Sequence, residues 1–574
     1  MILQTILIPK KKRESYIRGG RIKEGKLFLL KGESLSFDTY FNSFSYPKYR
    51  DYTKADAVEF EVEFCGEVVA SWCVFDGEER ILCKKRGKSE RKTSLIFSAN
   101  FKDLPQNGIL YLKIEAKKES EILGGSYCAK CEFEPIKCSV VICTYRRESF
   151  VLKNIERFQK GKFTWISHVY VIDNGNTLET QTDSFIQVIP NKNVGGSGGF
   201  TRGLLEAEQE GATHVILMDD DIVFHPETME QMTIFLSILK KEWKESWFSA
   251  AMITFDQPEK QYEMGAIWDG KKSIGKKQGV DLRKRENLLT NMENQEIQYG
   301  GWWTMLLPLS ILKKVGFPLP FFIKFDDVEY GMRKPLGTEI ITMNGIAVYH
   351  EAFDRKVNFA LDYYNLRNEL IVNVLYKNLS LIGALKRVWY EVCKEIFLYR
   401  YDCCLLVFQA VKDFLRGVDF FLETDGEKEN QKLINLVPKL IPLEEIPEWE
   451  ESLRCDKHKR SYKVTLPMIL TMGGQILPSV FLKKEKYGVP LSKASAVDLF
   501  GRKWAIQYQL GKEVGILTKH STKKFIKYGL GAIGLSFQLI KKYGKVKIEF
   551  QERKEEISSM IFWKKYLGIN SNNE

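Results

Sequence analysis

The sequence predicts an α/β protein in three parts. Alternating apolar and polar residues over 1–135 predict an antiparallel β-sandwich. Apolar strands that alternate with helix-length segments over 136–375 predict a parallel sheet with crossover helices. Long helical patterns and an excess of lysine after residue 376 predict a mainly helical, basic C-terminal region over 376–574. A chain of 574 residues is also too long for one hydrophobic core.

The N-terminal part contains two long runs of alternating residues. These are AVEFEVEFCGEVVASWCVFDG and NGILYLKIEAKKES, and turn residues separate the runs. No acid–base or metal-binding set of residues occurs there, so we expect this part to serve in support, assembly or glycan contact.

Four strands are predicted in the middle part. Their sequences are IKCSVVICTY, HVYVIDNGN, FIQVIPNKN and HVILMDDD, and a helix is expected from about Thr201. The continuous apolar runs favour strands that are covered on both faces. In an open parallel sheet, ligands bind outside the carboxyl ends of the strands. The polar residues that follow the four strands should therefore face one crevice.

The C-terminal part carries the charge of the protein. Residues 451–574 contain 24 Lys and Arg against 10 Asp and Glu, whereas the whole chain has a net charge of +12. A solvated lysine-rich surface, an anionic membrane surface and a nucleic acid are three explanations. No nucleic-acid recognition motif is present, so we expect no nucleic-acid partner.

One uncharged segment, VTLPMILTMGGQILPSVFL (464–482), is long enough to resemble a membrane span. Its two prolines and its glycine pair disfavour a spanning helix. A buried strand–turn–strand or an interfacial loop is therefore expected. The eleven cysteines have no framework spacing and favour reduced thiols, and the N-terminus lacks a secretory pattern.

A glycine-rich loop, NVGGSGGFTRG, follows the third strand. The loop matches neither of the phosphate-binding motifs G-x-x-x-x-G-K-[ST] and G-x-G-x-x-G. It is therefore only weak evidence for phosphate binding, and the alternative is that it serves only as a turn. Gly195 and Gly196 permit close approach of the backbone to a ligand ahead of a helix N-terminus.

Three consecutive aspartates end the fourth strand. Like charges repel at this spacing, and a divalent cation that also binds a nucleotide diphosphate would offset the repulsion. Alternate residues of a strand share a face, so Asp219 and Asp221 should point the same way and Asp220 elsewhere. The alternative is a helix cap or a solvated turn.

A second acidic cluster lies in FFIKFDDVEYGMRKPLG. Asp326 and Asp327 stand where an aromatic stretch meets a predicted helix, a position that suits a general base. The helix dipole lowers an aspartate pKa and a neighbouring carboxylate raises it, and the sequence leaves that balance open. An N-cap pair is the alternative.

Three further residues are candidates on weaker grounds. Trp302 and Trp303, in GGWWT, offer flat apolar faces for a sugar ring but suit a core equally well. His350 ends an apolar strand, and only an arrangement beside the aspartates would make it a metal ligand rather than a structural histidine.

Seven motifs of the middle part, taken in their order along the chain, resemble the polymerising galactofuranosyltransferases of glycosyltransferase family 2. These motifs are CSVVICTYRR, VIDNGN, NVGGSGGFTRG, ILMDDDI, GGWWT, FIKFDDVEYG and AVYHEAF. The resemblance covers residues 136–375 well, and the flanking parts fit the three-part layout of that family. It implies a GT-A (Rossmann-like) fold and an inverting transferase that uses UDP-galactofuranose and Mn²⁺ or Mg²⁺.

The resemblance also implies roles for individual residues. Asp219, Asp221 and His350 would hold the metal, and Asp327, beside Asp326, would be the base that activates the acceptor hydroxyl. Nucleotide-sugar contacts would come from Thr144, Arg147, Asp173, Asn193, Gly195, Gly196 and Asp220. Trp302, Trp303 and Phe353 would line the sugar and acceptor site.

By the same resemblance, the protein would be a homotetramer in the cytoplasm. It would lie on the inner face of the cell membrane and extend a lipid-linked glycan. The basic C-terminal part and segment 464–482 favour such attachment to an anionic membrane surface.

This chain departs from the family pattern near the expected sugar site. Phe325 and Phe353 stand where tryptophan is expected, and Arg146 stands where a smaller polar residue is usual. These differences leave open which sugar is transferred and whether the product is a polymer. A rhamnosyltransferase that uses a dTDP-sugar and a non-catalytic glycan-binding protein are the two alternatives.

Overall fold

The computed structural model describes residues 1–574 except 12, 180–182, 353–357, 448, 450–452, 455–464, 486 and 570–574. The chain divides into two compact units, each assembled from several segments. Unit 1 comprises Met1–Lys192, Gly199–Gly316 and Tyr330–Glu351. Unit 2 comprises Asn193–Gly198, Phe317–Glu329 and Ala352–Glu574.

A nine-stranded antiparallel sheet forms the first part of unit 1, in the order β2-β5-β8-β6-β9-β4-β3, with β1 on β9 and β7 on β6. Helix α1 (Tyr46–Tyr52) connects β5 and β6. The strands are β1 (Ile2–Thr5), β2 (Arg18–Gly19), β3 (Arg21–Lys23), β4 (Lys26–Leu29), β5 (Ser34–Ser36), β6 (Ala57–Phe75), β7 (Glu79–Asn100), β8 (Ile109–Ala116) and β9 (Ser120–Cys128).

The long strand β6 organises this sheet. One edge pairs with β7, and the other edge pairs first with β9 and then with β8. The change of partner falls at Gly66, whose φ of +114° lies outside the range that other residues adopt readily. The first alternating run in the sequence is therefore a single strand, bent at a glycine.

Among the described residues, the second part of unit 1 contains twelve strands and six helices, and two of these helices (α3 and α7) extend into unit 2. The strands are β10 (Cys138–Thr144), β11 (Ile166–Asp173), β12 (Ile186–Pro190), β13 (His214–Asp219), β14 (Trp247–Ser249), β15 (Ala251–Thr254), β16 (Gln257–Glu263), β17 (Ala266–Trp268), β18 (Ser273–Gly275), β19 (Thr304–Pro308), β20 (Ile340–Ile341) and β21 (Ala347–His350). The helices are α2 (Glu148–Lys160), α3 (Gly195–Gln209), α4 (Pro226–Ser237), α5 (Arg285–Met292), α6 (Ser310–Val315) and α7 (Asp326–Met332).

Seven of these strands form one sheet, in the order β12-β11-β10-β13-β19-β14-β20. The four predicted strands, β10 to β13, are parallel to one another, as the sequence predicts. Strand β19 pairs antiparallel with β13, which the sequence did not predict. Because β10, β11 and β13 are almost entirely buried, their continuous apolar runs face protein on both sides.

Helix α3 begins at Gly195, earlier than the predicted start near Thr201. Within unit 1, the α3 glycines lie against β10: a side chain at Gly199 would collide with Cys143, and one at Gly203 with Val141. These two glycines therefore serve close helix–sheet packing.

Unit 2 is mainly helical, as predicted. Its helices are α8 (Ala360–Tyr376), α9 (Leu381–Phe397), α10 (Cys404–Phe414), α11 (Asp419–Glu423), α12 (Gly426–Leu436), α13 (Thr465–Leu470), α14 (Ala496–Leu499), α15 (Thr522–Ile557) and α16 (Met560–Leu567). It also holds a five-stranded sheet that the sequence did not predict, made of β22 (Ile441–Pro442), β23 (Leu453–Arg454), β24 (Tyr487–Pro490), β25 (Trp504–Tyr508) and β26 (Val514–Lys519).

The described part of the uncharged segment, 465–482, forms helix α13 and turns, so the expectation of a buried strand–turn–strand is wrong. Ile469, Val480 and Phe481 are 69%, 81% and 72% exposed. Proline has no backbone N–H to donate to a strand ladder, so Pro467 and Pro478 disfavour strand pairing in this segment. Across the described ranges, no helix is both long and apolar enough to cross a bilayer.

Candidate active site

The ends of four parallel strands build one edge of the central sheet. Thr144 is level with Asp173, Asp173 with Pro190, and Cys143 with Asp219. This register brings the polar residues that follow β10, β11 and β13 to the same edge, where open α/β sheets bind ligands.

Asp219, Asp221 and His350 come together at this edge. One possible ligand atom from each residue lies within 4.8 Å of the others. Strand β21 brings His350 here: Val223, just after the aspartates, and Tyr349 form an antiparallel bridge with a 2.8 Å hydrogen bond between backbone N and O in each direction. Two carboxylates and an imidazole are a donor set that suits Mn²⁺ or Mg²⁺.

The ring orientation of His350 supports a role as a ligand. Its Nδ1 lies 2.6 Å from the carbonyl oxygen of Glu351, which can only accept a hydrogen bond, so Nδ1 carries the proton. Nε2 then faces Asp221 at 3.1 Å from Oδ1. A metal-binding histidine commonly fixes its tautomer by such a hydrogen bond to a carbonyl.

Arg147 offsets part of the repulsion among the three aspartates. Its Nη1 lies 3.0 Å from Asp220 Oδ1 and 2.8 Å from Asp221 Oδ2. Thr144 donates a hydrogen bond of 2.7 Å to the other oxygen of Asp220. Asp220 and Asp221 therefore share Arg147 as a partner, because β13 ends at Asp219 and strand alternation does not extend to them. The sequence pointed to a cation as the counter-charge, and the protein itself supplies a guanidinium.

Burial raises the pKa of Asp220 to about 6, while Arg147 and Thr144 act in the opposite direction. Helix α2 adds a contact that the sequence did not suggest. Asn154, which is fully buried, donates a 2.9 Å hydrogen bond to the backbone carbonyl of Asp220 and fixes the chain just after β13. A buried asparagine on an amphipathic helix gave no signal of this role.

Asp173 shapes the loop after β11. Its Oδ1 accepts the backbone N–H of Gly175 at 2.9 Å, and its Oδ2 accepts those of Thr177 and Leu178 at 2.7 and 2.8 Å. The carboxylate thus organises the loop whose polar groups line the same sheet edge.

In unit 2, the glycine-rich loop packs against the chain that precedes Asp326. Gly195 has a φ of +83°, and a side chain there would collide with the backbone of Phe322. Gly196 N donates to Phe322 O at 2.9 Å, and Asn193 donates to Glu427 at 3.3 Å. Protein packing alone therefore requires glycine at position 195.

Asp326 and Asp327 begin helix α7. Val328 N donates to Asp327 Oδ1 at 2.7 Å. Burial, and secondly the charge of Asp327, raise the pKa of Asp326 to about 7. For Asp326, desolvation and the charge of Asp327 therefore raise the pKa more than the N-terminus of the helix lowers it. The sequence alone left this balance open.

The tryptophan pair is buried in unit 1. Trp302 and Trp303 are each 5% exposed. The Trp302 ring meets Phe200 at 5.0 Å between centroids, and Trp303 donates its indole N–H to Ala250 O at 3.1 Å. A role at a sugar site stays a prediction, and Phe353 lies outside the described residues.

The sheet and the polar residues at its edge agree with the GT-A fold that the sequence motifs predict. Residues 135–367 match the family model described as glycosyltransferase like family 2. The match covers less than half of the chain and shows that the middle part is similar to the glycosyltransferases of family 2.

Two relatives are galactofuranosyltransferases, which confirms the resemblance seen in the motifs. Galactofuranosyltransferase GlfT2 of Mycolicibacterium smegmatis is 23% identical over 504 residues, which span 81% of this chain and 73% of the relative. GlfT2 of Mycobacterium tuberculosis is 28% identical over 248 residues, which span 39% of this chain and 38% of the relative.

Proposed function

We propose that the protein transfers galactofuranose from UDP-galactofuranose to a hydroxyl group of a lipid-linked glycan, with inversion at the anomeric carbon. The observation that carries this proposal is the convergence of Asp219, Asp221 and His350 at the ligand-binding edge of the sheet. The similarity to GlfT2 over 81% of the chain supports the choice of sugar.

Asp219, Asp221 and His350 would hold Mn²⁺ or Mg²⁺. The ion would neutralise negative charge on the departing diphosphate. The fit rests on the donor set and on the orientation of His350, whose Nε2 is turned toward Asp221.

Asp327 is proposed as the general base. Its carboxylate removes the proton of the acceptor hydroxyl as that oxygen attacks the anomeric carbon from the face opposite the diphosphate. The bond between the anomeric carbon and the diphosphate breaks, and UDP leaves with the electron pair. A single displacement of this kind inverts the anomeric configuration.

The remaining assignments follow the motif match. Thr144, Arg147, Asp173, Asn193, Gly195, Gly196 and Asp220 are proposed to contact the nucleotide-sugar, and Trp302, Trp303 and Phe353 to line the sugar and acceptor site. A homotetrameric assembly belongs to the same proposal.

A donor comparison tests the function. The protein is incubated with Mn²⁺ and a short synthetic lipid-linked acceptor, and with UDP-galactofuranose, UDP-galactopyranose or dTDP-rhamnose in turn. We expect a product with added hexose from UDP-galactofuranose alone, and linkage analysis should identify it as galactofuranose with inverted configuration. Transfer of a deoxyhexose would favour the rhamnosyltransferase alternative. An absence of transfer together with absence of Mn²⁺-dependent UDP binding would favour a non-catalytic glycan-binding protein.

We also propose that unit 2 attaches the protein to the inner face of the cell membrane. Exposed apolar side chains occur on segment 464–482 and on α15, and the two elements line one apolar cavity of about 650 Å³. Lys523, Lys524 and Lys527 lie on the first turns of α15. Apolar insertion together with lysine attraction to anionic headgroups is the usual basis of peripheral attachment.

Attachment predicts that the protein sediments with vesicles of phosphatidylglycerol at physiological salt. The double substitution Ile469→Glu and Phe481→Glu should reduce the bound fraction by about tenfold or more, because it places two charges where side chains would insert. Leu336→Glu, which changes a fully exposed leucine of unit 1, is the matched control and should bind like the unaltered protein. Equal binding by all three proteins would contradict the proposal.

A further inference from the structure

We propose that Asn368, on helix α8, is a positioning residue that holds the loop before Asp326 and Asp327 in the conformation required for proton transfer. The proposal rests on the proposed function, because it concerns the same pair of carboxylates. Asn368 is not a catalytic residue in this scheme: its side chain contacts the backbone of the loop.

The amide group of Asn368 binds two consecutive carbonyl groups. Its Nδ2 donates to Ile323 O at 3.1 Å and to Lys324 O at 2.8 Å. The side chain is fully buried, so water does not replace these bonds readily. Both N–H groups of the amide are used, and both end on the loop that leads into α7.

This loop has an unusual backbone. Lys324 and Phe325 have φ angles of +68° and +70°, in the left-handed region that favours glycine. Two such residues in succession, both with bulky side chains, persist only where the surrounding structure imposes the conformation. The second of them also begins the helix, because Phe325 O accepts the backbone N–H of Glu329 at 2.9 Å. The backbone held by Asn368 therefore sets where α7 starts and how Asp326 and Asp327 are presented.

A chain of buried hydrogen bonds orients the amide. Arg367 Nε donates to Asn368 Oδ1 at 3.0 Å, which leaves Nδ2 directed at the two carbonyls. Arg367 Nη1 donates to the hydroxyl of Tyr363 at 3.0 Å, and that hydroxyl donates to Asp413 Oδ2 at 2.8 Å. The Arg367 side chain is only 2% exposed and lies against the Phe420 ring, 4.8 Å from its centroid. The orientation of Asn368 is thus fixed from α10 through α8.

Helix α8 also holds the far side of the loop. Tyr376 donates to Glu329 Oε1 at 2.6 Å, and Leu319 N lies 3.4 Å from Glu329 Oε2. Glu329 is fully buried. One helix therefore fixes the chain before Asp326, through Asn368, and the helical turn after Asp327, through Tyr376. These contacts matter for a general base because a displacement of about 1 Å can reduce the rate of a reaction by roughly a hundredfold.

The kinetic test uses the full-length variant Asn368→Ala. We expect kcat to fall by about 10- to 100-fold, while KM for the donor and the affinity for UDP with Mn²⁺ stay within about twofold. Tyr364→Phe is the matched control, because it removes a single hydrogen bond of 3.2 Å from the same helix to Asn430 and leaves the loop contacts in place. An unchanged kcat in Asn368→Ala, or an equal fall in Tyr364→Phe, would overturn the proposal.

A second variant separates positioning from a general loss of packing. Glycine adopts positive φ without strain, so Lys324→Gly lowers the need for the amide of Asn368. The double variant Asn368→Ala with Lys324→Gly should therefore recover part of the lost kcat. A further fall in the double variant would contradict the role assigned to the backbone conformation.

Amide hydrogen exchange tests the same idea without a substrate. Exchange of residues 323–329, followed by mass spectrometry, should be faster in Asn368→Ala than in the unaltered protein and in Tyr364→Phe. If Asn368→Ala fails to fold, Asn368→Asp replaces it, since it keeps the size of the side chain and the bond from Arg367 but loses the two donors. Unchanged exchange in the variant that folds would overturn the proposal even if the enzyme transfers galactofuranose. Faster exchange in a protein that transfers no sugar would support the loop contact and reject the proposed function.

Discussion

Asp327→Asn should reduce transfer by about a thousandfold or more, because an amide cannot accept the proton of the acceptor hydroxyl. The substitution keeps the volume of the side chain and an oxygen that can still accept the 2.7 Å hydrogen bond from Val328 N. The fold and the affinity for UDP with Mn²⁺ should therefore be retained. Product formation measures the first effect, and calorimetric titration with UDP measures the second.

Asp326→Asn is the informative comparison for that result. Burial and the charge of Asp327 raise the pKa of Asp326 to about 7, so the pair takes up a proton as the pH falls through that value. A base must be unprotonated to act, so kcat/KM of the unaltered enzyme should fall as the pH decreases below about 7. Asparagine at position 326 removes the like charge, and we expect this acidic limb to move to lower pH while transfer persists. Transfer by Asp327→Asn together with its loss in Asp326→Asn would exchange the two assignments.

The central sheet was predictable because its strands carry two signals at once. Runs such as Val215–Met218 are continuously apolar, and each run ends in residues that are costly to bury without partners. Parallel strands end at the same edge, so the sequence alone predicts that Asp219 lies near Thr144 and Asp173. The five-stranded sheet of unit 2 lacks such signals, since its strands are two to six residues long and two of them contain proline.

The glycine-rich loop shows why composition alone misleads. Gly195 permits backbone approach, as the sequence suggested, but the group that approaches in the structure is the backbone of Phe322. Gly199 serves the contact of α3 with Cys143 on β10. A glycine-rich pattern predicts that another group lies close to the backbone of the loop. It does not identify that group, because the contacting residue is distant in sequence.

The electrostatics of the aspartates followed from sequence only in part. Repulsion required a counter-charge, and the cluster with His350 fits a cation. Arg147 was expected to contact the nucleotide, yet its Nη1 lies between Asp220 and Asp221. The distance of more than seventy residues between these partners hides the contact from any reading of local spacing.

Asp219→Ala should abolish transfer by removing a proposed ligand of the metal. Outer-shell partners of a bound metal are commonly worth about 10- to 100-fold in affinity, and a direct ligand should be worth at least the upper end of that range. We therefore expect the affinity for UDP measured with Mn²⁺ to fall by about a hundredfold, and the affinity measured without metal to change little.

Asp219 is a cleaner target than Asp221. The Asp221 carboxylate is buried and lies 2.8 Å from Arg147 Nη1 and 3.1 Å from His350 Nε2, so its removal would also break two contacts within the protein. Asp219 is partly exposed and should tolerate alanine. Asp256→Ala, an exposed aspartate after β15, serves as the matched control and should keep both metal-dependent UDP binding and transfer. If Asp219→Ala binds UDP with the same Mn²⁺ dependence as this control, the cluster of Asp219, Asp221 and His350 does not hold the ion, and the assignment of the metal to this edge of the sheet must be abandoned.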